Sequence, residues 1–471
     1  MHLTRDIIEN TQDTFRDTLG IVTDEGKRKF VYPKKPKGRL HKARVVFSVF
    51  LLAILFITPF IKLSGHPFMM FNIVERKFIL FGLAFGPHDF YLFVLATISF
   101  VVFIILFTVV FGRVFCGWVC PQTVFLEMVF RKIEFWIEGD YLRQKLLNDS
   151  KWTAKKISKK LVKWSVFFAL SVFIANTLLA WIIGTDELYK IISEPVSMHP
   201  GGFIAMLLFS AGFYFIFAWF REYACVYVCP YGRLQSVLLD QNSIVIAYDN
   251  IRGEPRGKIK KAEVRTLGDC IDCKECIAVC PTGIDIRNGT QLECVNCTAC
   301  IDACDNIMDK INKPSGLIKY ASFNNVKDKT KFKLTPRITG YLVILTVLIA
   351  VLGILLYNRN PIDVMILRTP GMLYQEQPGG ILSNLYSLKL TNKTFDEVPL
   401  QLRLENLQGE IKIIGSDINL EPNAVSETKF LVMLPKQKVN NVNTPIEIGI
   451  YTNGEKFQTF KSNFLGPANQ N

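Results

Sequence analysis

Apolar positions are concentrated in five runs, residues 45–61, 90–111, 164–183, 202–220 and 338–357, none of which contains Lys, Arg, Asp or Glu. Each is close to the roughly 20 residues that a helix needs to cross a bilayer. Runs with no polar face read as transmembrane helices and not as the buried helices of a soluble core. Residues 78–86 are apolar but too short to cross, and are expected to be interfacial or re-entrant. Beyond Arg359 the pattern changes to short alternating segments, among them 385–390, 400–404, 410–414, 428–434 and 445–451. About seven strands in ~110 residues predict an immunoglobulin-like sandwich. Within it, Asn392-Lys393-Thr394 matches a glycosylation sequon and is read as a turn.

Charge orients these elements. The net charge is +14, and the Lys and Arg residues gather in residues 1–44, 112–163 and 221–337. The loops at 62–89 and 184–201 are poor in them, and the segment after Tyr357 is balanced. Basic loops stay on the cytoplasmic side, so the N-terminus and 221–337 are expected inside and the sandwich outside. Lys34, Lys35, Lys37 and Arg39 are predicted to form a cationic arm on the inner leaflet. The first residues carry no apolar stretch or small-residue cleavage site, so no cleaved signal peptide is expected. No basic module interleaved with aromatics supports nucleic-acid binding.

Eight of the twelve cysteines fall between residues 270 and 304. Cys270, Cys273, Cys276 and Cys280, followed by Pro281, read C-x2-C-x2-C-x3-C-P, and Cys294, Cys297, Cys300 and Cys304 repeat the spacing with Asp305 in place of proline. Three thiolates from one tight loop and a fourth from a distance suit a [4Fe–4S] cluster. In two-cluster ferredoxins the fourth ligand crosses over. One site is therefore expected to use Cys270, Cys273, Cys276 and Cys304, and the other Cys294, Cys297, Cys300 and Cys280. Four-cysteine zinc sites use separated pairs and do not need this double run.

The remaining four cysteines form a second repeat. Cys116, Cys120 and Pro121 follow the second apolar run, and Cys225, Cys229 and Pro230 follow the fourth, so the same C-x3-C-P closes two helical hairpins. Proline disfavours helix in the residue before it and suits the first position of a new helix. Cys120 and Cys229 are thus predicted at breaks, where a helix N-terminus and the nearby Arg113, Arg131, Arg221 and Arg233 would favour thiolate. Copper binding, a reversible disulfide or a further cluster all remain open for these four. His66, His88 and His199 are rim residues at which copper is a weaker candidate. No haem-attachment, dinucleotide or P-loop signature is present, so electrons are expected from a soluble reductant or quinol.

The reading is a membrane α-helical protein of five transmembrane helices, with an inserted α+β bacterial-type two-cluster ferredoxin module and a C-terminal all-β immunoglobulin-like sandwich. Its domains are a cytoplasmic basic arm (1–43), a four-helix membrane region (44–235), the cytoplasmic ferredoxin-like domain (236–335), a fifth helix (336–358) and a periplasmic sandwich (359–471). This combination resembles the CcoG family, also called FixG or RdxA, over essentially the whole chain. The resemblance implies assembly of cbb3-type cytochrome c oxidase in the bacterial inner membrane, with reduction of Cu(II) to Cu(I). Copper is then substrate or transient ligand, and oxidase subunits or copper-delivery proteins are partners. It also implies that Cys116, Cys120, Cys225 and Cys229 are the reactive motif cysteines and the eight central cysteines the cluster ligands. The alternatives are a quinol-linked membrane electron carrier and a non-enzymatic copper-holding scaffold. Because little bulky apolar sequence separates the central cysteines, chelating the iron is expected to unfold residues 236–335, read as loss of protease resistance there.

Overall fold

The computed structural model describes residues 27–467 apart from 74–75, 259–266, 330–333, 372, 416–418, 423, 440–441 and 453. The signal-peptide reading of the first residues and part of the polar link 240–269 lie outside the described residues. The chain divides into two compact units, residues 1–61 with 94–351, and residues 62–93 with 352–471.

Among the described residues, five helices are long and apolar enough to cross a membrane: Arg39–Phe60, Pro87–Phe111, Ala154–Ile183, Pro200–Phe220 and Pro336–Tyr357. They show exposed apolar faces, with Val46, Phe50, Phe100, Leu208 and Ile354 all unburied, which water would not tolerate and lipid favours. The third helix starts well before its apolar run because Lys160 and Lys163 in its early turns each reach Glu138 at 2.9 Å. Between the helices a small aromatic core forms: Phe130 stacks on Phe217 with centroids 4.7 Å apart and meets Phe167 edge-on at 4.9 Å. Such pairs contribute about 0.5–1.5 kcal/mol beyond the area they bury.

The cysteine-rich segment is an α+β module. Val245–Tyr248 pairs antiparallel with Ile318–Ala321, and two helices, Glu275–Ala278 and Ala299–Lys310, each begin just after the second cysteine of a loop. Its apolar core is thin: Ile246, Ile286, Ile301, Met308, Leu317 and Ile318 close around Cys270, Cys276 and Cys300.

The basic arm departs from its expected place. Instead of lying free for a lipid surface, Lys34 pairs with Glu275 at 2.9 Å, and its backbone N–H donates to the Ala278 carbonyl at 2.7 Å. Further on, the Leu40 and His41 amides donate to the two Asp302 carboxylate oxygens at 3.1 and 2.7 Å. These amides belong to the first turn of the helix Arg39–Ile57, whose N–H groups have no intrahelical acceptor. Asp302 supplies one, and its negative charge suits the positive helix end.

In the second unit, two antiparallel sheets form the sandwich. One has the order Glu410–Ile414, Val425–Pro435, Ile381–Asn392, Ile362–Arg368, with Gln375–Gln377 also paired to Ile381–Asn392. The other runs Asn419–Leu420, Val398–Leu404, Asn443–Thr452, Glu455–Leu465. Leu388, Leu390, Phe430, Val432, Ile448 and Phe464 meet in its fully buried core. Alternation along each strand puts these residues on one face. The sequon is a turn: the buried Asn392 accepts from the Thr394 backbone N–H at 2.9 Å and donates to the Asp396 carbonyl at 2.8 Å.

Residues 78–86 are neither re-entrant nor helical. Met69–Asn72, Lys77–Leu80 and Leu83–Phe85 form a three-stranded sheet within the second unit, because two-residue-period alternation with turns at 81–82 satisfies their backbone groups by pairing. The membrane region predicted as 44–235 is therefore interrupted by a segment that groups with the sandwich. Asp89 anchors this segment, accepting from Arg359 at 2.8 Å and from Lys393 at 2.9 Å. Its side chain is almost fully buried, as are both partners. Removing one partner of a buried ion pair costs roughly 3–5 kcal/mol. Asp89→Ala should accordingly loosen the second unit, seen as faster proteolysis within 352–467 in the otherwise intact protein.

Candidate iron–sulfur and thiol centre

The two cysteine loops have the same backbone shape. Asp272 and Lys274 flank Cys273 with φ of 51° and 58°, and Asn296 and Thr298 flank Cys297 with φ of 54° and 67°. Left-handed residues on both sides of the middle cysteine turn the chain tightly enough for three sulfurs to face one space.

Each space is closed by a fourth cysteine from the other loop. One cavity, with about 350 Å³ of atom-free space, is lined by Cys270, Cys273, Cys276 and Cys304. The other, about 330 Å³, is lined by Cys280, Cys294, Cys297 and Cys300, with Cys276 at its edge. Each cavity thus draws cysteines from both loops, and Cys276 borders both. Among the described residues, no three His, Cys, Asp or Glu side chains converge as a single metal ion requires. Four thiols spread around each cavity fit a cluster of several irons. Burial pushes Cys276, Cys294 and Cys304 up to about 12, so these sulfurs become thiolates only against a cationic partner such as iron.

The C-x3-C-P motifs also adopt matching shapes. Cys116 lies in the short helix Val114–Trp118, and Cys120 is extended ahead of the helix starting at Pro121. Cys225 lies in the π-helical turn Ala224–Val228, and Cys229 is extended ahead of Pro230–Leu238. The predicted breaks are thus present. The two motifs pack together: Cys116 Sγ donates to Gln235 Oε1 at 3.3 Å, Arg113 to the Gly232 carbonyl at 2.8 Å, and Phe115 meets Tyr231 edge-on. Gln235 is fully buried.

The first cysteine of each motif lies in a different setting from the helix-start positions of Cys120 and Cys229. Burial raises Cys116 to about 11 and Cys225 to about 12. Two of the arginines expected to counter this are already neutralised. Arg131 pairs with Glu127 and Glu222, while Arg221, left-handed at φ 49°, makes two 2.9 Å bonds to Glu134. Arg233 donates instead to the Tyr227 carbonyl at 3.1 Å.

The first motif rests directly on the second cysteine loop. A Cβ added at Gly117 would stand 2.4 Å from the Val295 carbonyl oxygen and 2.7 Å from that of Asn296. Around this contact, Arg44 donates to the Gly117 carbonyl at 2.7 Å and Arg113 to that of Leu292. Trp118 donates to the Tyr320 hydroxyl at 3.3 Å, which donates in turn to the Asn296 carbonyl at 3.2 Å. Sequence reading singled out the cysteines and missed Gly117, Trp118, Gln235 and Tyr320. The one available signal was a glycine and a tryptophan between two cysteines. Two of the three rim histidines are otherwise engaged: His66 stacks on Phe395 at 4.1 Å and His199 bonds Glu194 at 2.6 Å.

Comparison with known proteins agrees with these features. A 4Fe-4S dicluster domain model matches residues 220–323, a 4Fe-4S binding domain model matches 93–146 and 198–240, and a model of the IG-like fold at the C-terminal of FixG matches 352–467. The middle match takes in both C-x3-C-P motifs. Protein RdxB of Cereibacter sphaeroides is 34% identical over 386 residues, 78% of this chain and 80% of that protein. Protein RdxA of the same organism is 32% identical, covering 86% of this chain and 89% of the relative. Nitrogen fixation protein FixG of Rhizobium meliloti is 31% identical, covering 87% of each. The helices, cysteine loops and family models define an iron–sulfur protein with membrane-spanning helices. The chain belongs to the FixG/RdxA family.

The buried acid Glu134 offers a test. Burial alone would raise its pKa, but Arg221, Lys163 and Arg131 together lower it from 4.5 to about 2. A depressed carboxylate contributes stability that is complete above its unfolded value and lost as pH falls through the folded one. Thermal stability is therefore expected to fall between pH 4.5 and about 2. Glu134→Gln should remove that acid dependence and cost roughly 3–5 kcal/mol at neutral pH by leaving Arg221 buried without its main partner.

Proposed function

We propose that the protein is an assembly factor for cbb3-type cytochrome c oxidase in the bacterial inner membrane, and that it reduces Cu(II) to Cu(I) for insertion into the oxidase. In this reading it is an iron–sulfur cupric reductase. Cys270, Cys273, Cys276 and Cys304 hold one [4Fe–4S] cluster, and Cys294, Cys297, Cys300 and Cys280 hold the other. When bound, the clusters supply one-electron storage, which matches the single electron that Cu(II) takes up. Cys116, Cys120, Cys225 and Cys229 offer soft sulfur, which favours Cu(I) over Cu(II).

The observation that carries the reading is the contact of Gly117 with Val295 and Asn296. It brings the peptide beside Cys116 against the loop of Cys294 and Cys297, with no side chain between. The basic residues of 112–163 and 221–337 support a cytoplasmic N-terminus and ferredoxin module with a periplasmic sandwich. A soluble reductant or quinol is the donor, and oxidase subunits or copper-delivery proteins are the recipients.

In stopped-flow mixing of the chemically reduced full-length protein with Cu(II), reoxidation of the iron–sulfur absorbance is expected to track Cu(I) formation, read with a Cu(I)-specific chelator. Replacing Cys116, Cys120, Cys225 and Cys229 together by Ser should keep the absorbance and abolish Cu(I) formation. Reoxidation by a quinone analogue, with no response to copper, would favour the quinol-linked carrier and sink the copper reading.

A further inference from the structure

The two cysteine loops share their backbone shape but differ in charge where they touch their sulfurs. Before the middle cysteine, one loop has Asp272 and the other Asn296; after the crossing fourth cysteine, Cys304 is followed by Asp305, while Cys280 is followed by Pro281 and Thr282. Because the fourth ligands cross over, both acidic positions fall on the cavity of Cys270, Cys273, Cys276 and Cys304. Both neutral ones fall on the cavity of Cys294, Cys297, Cys300 and Cys280.

The neutral groups are placed to donate to sulfur. Asn296 is 2% exposed, its Nδ2 has no partner, and its Oδ1 lies 3.5 Å from Cys294 Sγ. A thiol can donate to that oxygen, whereas an iron-bound thiolate has no proton to give. Exchanging the amide oxygen and nitrogen, which occupy nearly equivalent positions, turns the same contact into an N–H···S bond and ends the isolation of Nδ2. Likewise the Thr282 hydroxyl stands 3.4 Å from Cys280 Sγ, and the only role left for it toward a thiolate is donor. Two arginines, Arg44 and Arg113, bond to groups on either side of this loop, Arg44 to the Gly117 carbonyl packed against it and Arg113 to the Leu292 carbonyl.

At the other cavity, Asp272 pairs with Arg287 at 2.5 Å and Asp285 pairs with the same Arg287 at 2.7 Å. Arg287 and Lys274 both line this cavity, so Asp272 and Asp285 offset these two cations, and Asp305, which follows Cys304, leaves one negative charge in excess. The Tyr248 hydroxyl donates to Glu254 Oε1 at 3.1 Å and also stands beside Cys270, so this side has one neutral donor against two on the other. The carboxylates preceding the loops occupy equivalent positions, Asp269 paired with Arg252 at 2.6 Å and Lys313 at 3.2 Å, and Glu293 buried.

Hydrogen-bond donors and positive charge near cluster sulfurs stabilise the reduced, more negative state, and acidic neighbours oppose it. We propose that Asn296 and Thr282 on one side, and Asp272 and Asp305 on the other, set the two clusters at different reduction potentials, the higher belonging to the cluster whose loop carries Gly117. Resting on the two-cluster reading above, this gives the pair a direction: an electron resides preferentially at the site packed on the first C-x3-C-P motif. Solvent at the exposed Cys273 acts in the opposite sense, so the ordering depends on the acidic residues and is reversible by changing them.

The test is a potentiometric titration of the full-length protein followed by EPR, using dithionite as reductant. Two midpoints are expected in the wild type. Asn296→Asp, which keeps a residue type tolerant of left-handed backbone, should lower the upper midpoint alone, and Thr282→Val should lower the same one. Asp272→Asn should raise the lower midpoint and narrow the gap. If Asn296→Asp and Thr282→Val leave the upper midpoint in place or shift the lower one, with both EPR signals intact, the proposal is overturned while the two-cluster reading stands. Absence of cluster signals from the anaerobically prepared wild type overturns both.

Discussion

A backbone contact with no room for a side chain governs the larger unit. Gly117 lies against the Val295 and Asn296 carbonyls so closely that even a methyl group would collide with main-chain oxygen. Main chain cannot step aside as a flexible side chain can, so the helix Val114–Trp118 and the second cysteine loop move as one body. Arg44, Arg113 and Trp118 then bond around the contact, satisfying carbonyls that the close approach removes from water. The loop that shapes one cavity is thereby also the surface on which the thiol motif is built.

The same economy appears in the basic arm. Asp302 lies between Cys300 and Cys304 in the chain and caps the helix Arg39–Ile57. A residue of the cysteine-rich segment therefore terminates an apolar helix, and Lys34 binds the shorter helix of the other loop. One cationic side chain that composition alone assigns to a lipid surface, Lys34, is held instead by a fixed carboxylate, while Lys35, Lys37 and Arg39 stay exposed. A fixed, partly desolvated partner outcompetes a fluctuating, water-exposed one.

Each of the two units holds a cluster of buried charge in which acid and base are paired. Glu134, Glu127 and Glu222 surround Arg131 and Arg221 beside the second motif, and Asp89 holds Arg359 and Lys393 in the second unit. Ions this deep persist only with complete partners, so they fix geometry more than they add stability. Beside the motif the consequence is chemical: arginines committed to carboxylates add little positive potential at sulfur, and burial raises the pKa values of Cys116 and Cys225.

Features that depend on local spacing were legible in the sequence. Charge-free runs of bilayer length, alternating strands and the helix breaks at Cys120 and Cys229 follow from periodicities and dihedral limits that act over a few residues. The strand Lys77–Leu80 was not legible because an apolar run of that length suits a membrane interface and a paired strand equally, and only its neighbours in the sheet decide. The carboxylate partners of the arginines near the motifs were not legible for a related reason: Glu134 and Arg221 are distant in sequence, and a pair formed across that distance leaves no local trace. What the chain alone determined was which residues can hold iron and which segments need lipid. The fold decided which cysteine loop meets the thiol motif, because that depends on a glycine and two carbonyls brought together from remote parts of the chain.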